Sequence, residues 1–426
     1  MDCNYISRKS KRARGAYLIQ SAVEYIVTLL ISDAFLAKVL KSIGLSDGDV
    51  GVISSLISFA FMMQLVSIPI LRHVKSIKRY VIITDTVSFL SCMLTFTLPL
   101  LPFPDPVRHF LAFIFVACAT SMRYISLNAY YKWANSYVDP MKRGRYTSVK
   151  ESVSLVVGII ISLVIGFLFD FFEASGRLNT AFEVVAGCIA VLSVINFVLI
   201  CQIPKESSSE DSRADYKSVI AATFKNKTFL RIIILQCLVR FATYMTIGFL
   251  GTYKTQELGF SISFTQIIVT VAQLGQLAFT VPLGIYSDKK SYAKGYTLGC
   301  ALAVGAFLSL MFTSPGTKWL IMVYTVLYGC SLAGTSANAT NMLYSYTPVE
   351  YLSQTQAIMS GICGLCGFLA SLVGKRILNA VQSNGNTVFG IRIYGQQLMA
   401  GISTVLFVIA IIYANKYILT QKDLKQ

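Results

Sequence analysis

Long apolar runs separated by short polar breaks dominate the chain. Twelve runs stand out, at residues 17–40, 50–71, 80–101, 109–133, 146–171, 180–202, 229–253, 264–286, 293–313, 319–344, 354–376 and 396–417. Each approaches or exceeds the ~20 residues that a helix needs to cross a bilayer. Pro and clustered Gly inside several runs fit membrane helices better than soluble ones. The pattern predicts an all-α integral membrane protein with twelve transmembrane helices. Composition agrees: 55% of the 426 residues are apolar and 13% charged, with a mean hydropathy of +0.63. A soluble domain carries about 25% charged residues, and a disordered chain needs low hydrophobicity.

The net charge is +17. An even number of spans puts both termini on one side, and 26 of the 37 Lys and Arg fall on that side against 9 on the other. The positive-inside rule then makes both termini cytoplasmic. This distribution accounts for the charge without nucleic acid, whose binders carry a soluble basic face. The basic run Arg8-Lys9-Ser10-Lys11-Arg12-Ala13-Arg14 precedes an apolar stretch that is too long for a signal peptide and contains Glu24 and Asp33, so it reads as the flank of an uncleaved first span. Cys363 and Cys366 form a C-x-x-C pair on an apolar, glycine-rich run. That setting suits close helix packing better than redox or zinc chemistry.

The two halves repeat. Ile19-Gln20-Ser21-Ala22-Val23-Glu24-Tyr25 aligns with Leu235-Gln236-Cys237-Leu238-Val239-Arg240-Phe241, and Ile43-Gly44-Leu45-Ser46 aligns with Leu258-Gly259-Phe260-Ser261. Ser136-Tyr137-Val138-Asp139-Pro140 matches Ser345-Tyr346-Thr347-Pro348 in the same order. The expected organisation is a basic N-terminus at 1–15, a six-helix bundle at 16–202, a polar central loop at 203–227, a second six-helix bundle at 228–418 and a tail at 419–426. Two six-span halves in the same orientation form a parallel repeat, a transporter architecture with its site between the halves.

With these features the chain resembles the major facilitator superfamily. Gly284-Ile285-Tyr286-Ser287-Asp288-Lys289-Lys290-Ser291 is similar to the family's G-x-x-x-D-R/K-x-G loop, with Ser291 in place of the last Gly. Pro140-Met141-Lys142-Arg143-Gly144-Arg145 is similar to its P-x-x-x-R-G-R segment, one residue shorter. The resemblance implies that these loops form a cytoplasmic gate. The first-half loop departs from the family, with Arg72 where Asp is usual, while Glu350 stands near the position equivalent to Lys142 or Arg143. A charge-swapped gate is therefore expected: Asp288, beside Lys289, against Arg143 or Arg145, and Arg72 against Glu350. Such pairs would break and reform between states.

Ionisable residues deep in a span are costly and mark candidate sites. Glu24, Arg123 and Arg240 qualify best. Gln20, Ser21, Glu24 and Thr28 share one face of span 1, and Gln236, Arg240, Thr243 and Tyr244 share one face of span 7. Arg123 shares a face with Tyr130. Span 10 supplies Tyr328, Ser331, Thr335 and Asn338, and span 8 supplies Gln266, Gln273, Gln276 and Thr280. Glu24 and Arg240 are related by the repeat and are expected to face one another. Asp33 lies about 180° from Glu24 by helical phase and competes with it as the protonation site. His73 and His109 sit at loop ends.

A span-1 acid with a span-4 arginine resembles the arrangement in proton-coupled sugar symporters of the superfamily. A carboxylate whose distance to an arginine changes also changes its proton affinity. The leading expectation is secondary active transport of a small polar, sugar-like solute by alternating access with proton symport. Organic-anion transport, in which Arg123 and Arg240 would act together, amphiphile export and a transporter-like sensor remain alternatives. No H-E-x-x-H, G-x-S-x-G or Walker-type motif is present, so no enzyme, ATP motor or cofactor is expected. The expected partners are a small-molecule substrate, a proton and the lipid bilayer, with the protein a monomer in the cell membrane.

Overall fold

The computed structural model describes residues 3–133, 137, 143–204, 224–346, 352–388 and 390–419. They form helices almost throughout. Eleven helices are long and apolar enough to cross a membrane, and their bounds follow the apolar runs to within a few residues. The first span departs from the expected unbroken run. It is two helices, α1 (Cys3–Leu30) and α2 (Asp33–Ser42). The Ser32 hydroxyl donates to the Leu29 carbonyl at 2.8 Å, and Asp33 takes a positive φ of 46°, so the helix stops and restarts.

The second span is built from α3 (Asp47–Ser54), α4 (Leu56–Ala60) and α5 (Met63–His73). Then come α6 (Ile77–Thr97), α7 (Asp105–Trp133), α8 (Arg143–Ala174) and α9 (Leu178–Gln202). The second half holds α10 (Lys227–Ile247), which runs on through short helical turns to Glu257, followed by α11 (Ile262–Lys290), α12 (Tyr292–Met311), α13 (Leu320–Tyr346) and α14 (Leu352–Ser383). A small hairpin, β1 (Thr387–Val388) and β2 (Ile391–Arg392), precedes α15 (Gly395–Tyr417).

The polar breaks supply the caps. Ser46, Ser76, Ser261 and Ser291 each accept a backbone N–H from three residues on, and Asn226 accepts from Thr228 and Phe229. The repeated I/L-G-L/F-S segment now has a physical meaning. Gly44 and Gly259 both take a positive φ, 84° and 68°, and each stands two residues before a capping serine.

The chain divides into two compact units, one of residues Met1–Leu45 and Met63–Ser212, the other of Ser46–Met62 and Arg213–Gln426. In the first, α1 packs on α8 and α9, α6 on α7 and α9, and α5 on α7. In the second, α10 packs on α14 and α15, α12 on α13 and α15, and α11 on α13. Counted by span, the two schemes are the same. Residues 46–62 pack on α14, where Lys375 pairs with Asp49 at 2.5 Å and Gln382 donates to Asp47 at 2.9 Å.

Large apolar side chains are exposed on the outer faces. On α8 they are Val156, Ile160, Val164, Phe167 and Phe171, at helical spacing. That is the surface a lipid chain covers. Between helices, small residues permit close approach. A Cβ on Gly329 of α13 would lie 2.1 Å from the Ala272 carbonyl of α11, and one on Gly299 of α12 would lie 2.9 Å from the Thr335 backbone nitrogen. Gly329→Ala should therefore destabilise the second unit by about 1–3 kcal/mol, the usual cost of overpacking. Gly187→Ala, where a Cβ meets nothing within 4 Å, should not. Thermal unfolding of the purified variants in detergent checks the pair.

Candidate functional site

Helices leave side chains as the polar groups available inside a bilayer, so the site is found where polar side chains converge. Each unit has one such place.

In the first unit, Glu24 of α1 meets Arg123 of α7. The Glu24 Oε2 to Arg123 Nη1 distance is 3.4 Å, and the same nitrogen donates to the Glu24 carbonyl at 3.3 Å. Both side chains keep limited exposure, 12% for Glu24 and 29% for Arg123. Thr28 donates to that carbonyl at 2.8 Å, so it braces the pair through the backbone. Lys150 of α8 lies 4.9 Å from the centre of the Tyr17 ring.

One turn from Glu24, Gln20 enters a buried ring of polar groups. Its Nε2 donates to the Tyr130 hydroxyl at 2.8 Å and to Asn196 Oδ1 at 3.2 Å. Tyr130 donates to Asp85 Oδ2 at 2.5 Å, and Asn196 Nδ2 donates to the same oxygen at 3.3 Å. Asp85 and Asn196 do not stand out in the sequence. Asp85 lies eight positions into α6 between two threonines, and Asn196 is a lone amide in an apolar helix. The available signal was the polar face of α6 at Thr84, Asp85, Ser88, Ser91 and Thr95, spaced three or four apart and all buried.

In the second unit, α10, α13 and α14 enclose a cavity of about 160 Å³. Gln236, Arg240 and Thr243 line it from α10, and Tyr328, Ser331 and Thr335 from α13. Gln356 and Ser360 of α14 and Phe61 complete the polar and aromatic wall. The Arg240 guanidinium stands 5.4 Å from the Phe61 ring centre and 6.0 Å from that of Tyr244, within cation–π range. No lining residue is acidic, and among the described residues no carboxylate pairs with Arg240. Gln356 donates to Ser360 at 3.3 Å while its own Oε1, buried, has no partner.

Six residues of the polar stripes on spans 7 and 10 thus come together: Gln236, Arg240, Thr243, Tyr328, Ser331 and Thr335. Tyr244 lies beside Arg240 without lining the cavity, its ring facing Gly367. Asn338 turns back to the Gly334 carbonyl at 2.7 Å and sits against Gly295. Gln273 and Gln276 of α11 are outside the lining. Asp33 opens α2. Of the gate residues, Glu350 lies outside the described residues, and so do the side chains of Arg72, Arg143 and Arg145. Asp288 and Lys289 are exposed near the end of α11.

The fold has clear relatives. The nucleoside transporter NupG superposes with a TM-score of 0.71 at 15% identity, covering 95% of this chain and 99% of that one. A D-xylose-proton symporter gives 0.71 at 14%, covering 97% and 98%. A bacterial homologue of the human lysosomal transporter Spinster gives 0.68 at 13%, covering 97% of each. No curated protein matches the sequence. The Major Facilitator Superfamily matches residues 15–374. The twelve spans, the repeated packing scheme and this match make the chain a multi-pass membrane transporter of the Major Facilitator Superfamily.

Proposed function

We propose that the protein imports a small, hydroxyl-rich polar solute by alternating access, coupled to the inward movement of a proton. The observation that carries the reading is the Glu24–Arg123 pair. A carboxylate and a guanidinium paired in the interior of two spans, each partly open, are costly to place there and mark a functional pair.

The cavity of the second unit supports the solute class. It offers hydroxyls and amides from Gln236, Thr243, Ser331 and Thr335, an aromatic wall from Tyr328 and Phe61, and an orphaned acceptor at Gln356 Oε1. A solute hydroxyl both donates and accepts, so it satisfies such a wall from either side. A nucleoside transporter and a D-xylose-proton symporter share the fold, and both solutes are polyhydroxylated.

One observation favours a second reading. Arg240 has no carboxylate partner among the described residues, and a charge withdrawn from water calls for one. A solute carrying a single carboxylate or phosphate would supply it.

Proteoliposomes separate these readings. With an inward proton gradient, the wild-type protein should accumulate labelled uridine or D-xylose. Glu24→Gln should abolish that accumulation while leaving solute counterflow, which needs no net proton movement. Normal accumulation by Glu24→Gln would remove Glu24 from the coupling. Arg240→Gln should reduce neutral-solute transport by less than about threefold. If the solute is an anion, the loss should be about tenfold or more, as for a lost hydrogen bond to a charged group.

A further inference from the structure

The first unit holds a second carboxylate that the Glu24–Arg123 pair does not use. Asp85 is 2% exposed, and its partners are equally enclosed: Gln20 at 0%, Ser126 at 0%, Tyr130 at 2% and Asn196 at 3%. They come from three helices, α1, α7 and α9, packed around Asp85 on α6. Tyr130 at 2.5 Å and Asn196 at 3.3 Å both donate to Asp85 Oδ2, and Gln20 holds both of those donors in place from behind. The Ser126 hydroxyl is also within reach of the carboxylate.

Every direct partner of Asp85 is neutral. The charged and titratable groups around it are engaged elsewhere. From α1, Glu24 bonds Arg123 of α7, and Tyr17 stacks on Tyr130 at 5.7 Å. From α8, Lys150 lies over Tyr17, with Glu151 beside it. On α6 itself, Lys78 is held by the carbonyls of Cys201 and Ile203 at the end of α9, each at 2.7 Å, and Arg79 and Tyr80 follow it. The group that α9 presents to Asp85 is Asn196.

The contrast between the two carboxylates is physical. Glu24 touches a guanidinium, at 3.4 Å. Asp85 is fully enclosed and held by neutral hydroxyls and amides, which serve it in either form. The hydrogen bonds of the ring converge on Asp85, and Gln20 Oε1 is left buried without a partner. Protonation of Asp85 reverses the direction. The carboxylic acid donates to the Tyr130 oxygen, and the Tyr130 hydroxyl turns to a Gln20 amide that presents its unused oxygen.

We propose that Asp85 is the proton-binding carboxylate of this transporter, with Tyr130 and Gln20 as positioning residues and the Glu24–Arg123 salt bridge as a separate neighbour. The proposal rests on the reading of the protein as a proton-coupled transporter. The step is a plain transfer: a hydronium ion gives its proton to the Asp85 carboxylate, leaving water and a neutral carboxylic acid, and the reverse releases it. No other bond changes. Only side chains of the first unit take part.

Infrared difference spectroscopy of the full-length protein in proteoliposomes tests it directly. A pH titration of the wild type should show the carbonyl stretch of one protonated carboxylic acid, identified by its shift in deuterium oxide. Asp85→Asn should lose that band, and Glu24→Gln should keep it. Tyr130→Phe, which removes one donor while preserving the ring, should keep the band and move its midpoint to higher pH by about one unit. A band that survives in Asp85→Asn, a midpoint unmoved in Tyr130→Phe, or no titrating band in the wild type overturns the assignment. The same vesicles are assayed for uridine and D-xylose accumulation under a proton gradient. A titrating Asp85 without any gradient-driven uptake overturns the coupling reading and leaves the proton site standing. Gradient-driven uptake without the band does the opposite.

Discussion

Hydrocarbon forms no hydrogen bonds, and the rest of this molecule follows from that. The backbone must satisfy itself, so nearly every described residue is helical. Apolar side chains gain nothing by hiding, so Val156, Ile160, Val164, Phe167 and Phe171 face outward along α8. What holds the helices together is close approach and polar contact. Gly329 against Ala272 and Gly299 against Thr335 supply the first. The ring around Asp85 and the Glu24–Arg123 pair supply the second. A polar side chain is then either a seam between helices or part of a site, and its partners decide which.

Asn338 and Gln236 show the difference. Both are amides on otherwise apolar helices. Asn338 spends its donor on its own helix at Gly334. Gln236 reaches only a long 3.4 Å contact to Ala339 and borders open space. Arg240, beside two aromatic rings and with no carboxylate partner among the described residues, borders the same space. A cation placed among rings is stabilised without being neutralised, which leaves its charge available to whatever enters.

The spans were legible in the sequence because hydropathy is a property of single segments. The helix bounds agree to within a few residues, and the serine caps lie where the polar breaks are. The break at Ser32 was not legible, since one hydroxyl and one left-handed aspartate interrupt a run that composition leaves continuous. The pairing of Glu24 with Arg123 was accessible through its likeness to known symporters. The Asp85 ring was not, because it joins residues 20, 85, 126, 130 and 196, and no periodicity connects positions on four helices. Polar faces such as Gln273–Gln276 mark a helix as special without saying which neighbour meets them.

The two units share one packing scheme but not one content. The first carries a buried acid and a partly open acid paired with an arginine; the cavity of the second carries a cation and no acid. Gln20 and Gln236 occupy matching places in the repeat, yet one closes a ring and the other borders a void. The close seams, Gly329 on Ala272 and Gly299 on the Thr335 backbone, are made through small residues and main chain rather than through charged groups. A duplicated scaffold of this kind tolerates divergence of its interior, because changing the filling does not disturb the joints. Equal halves could thus come to hold different interiors, acids in one and a lone arginine in the other, with no new fold required.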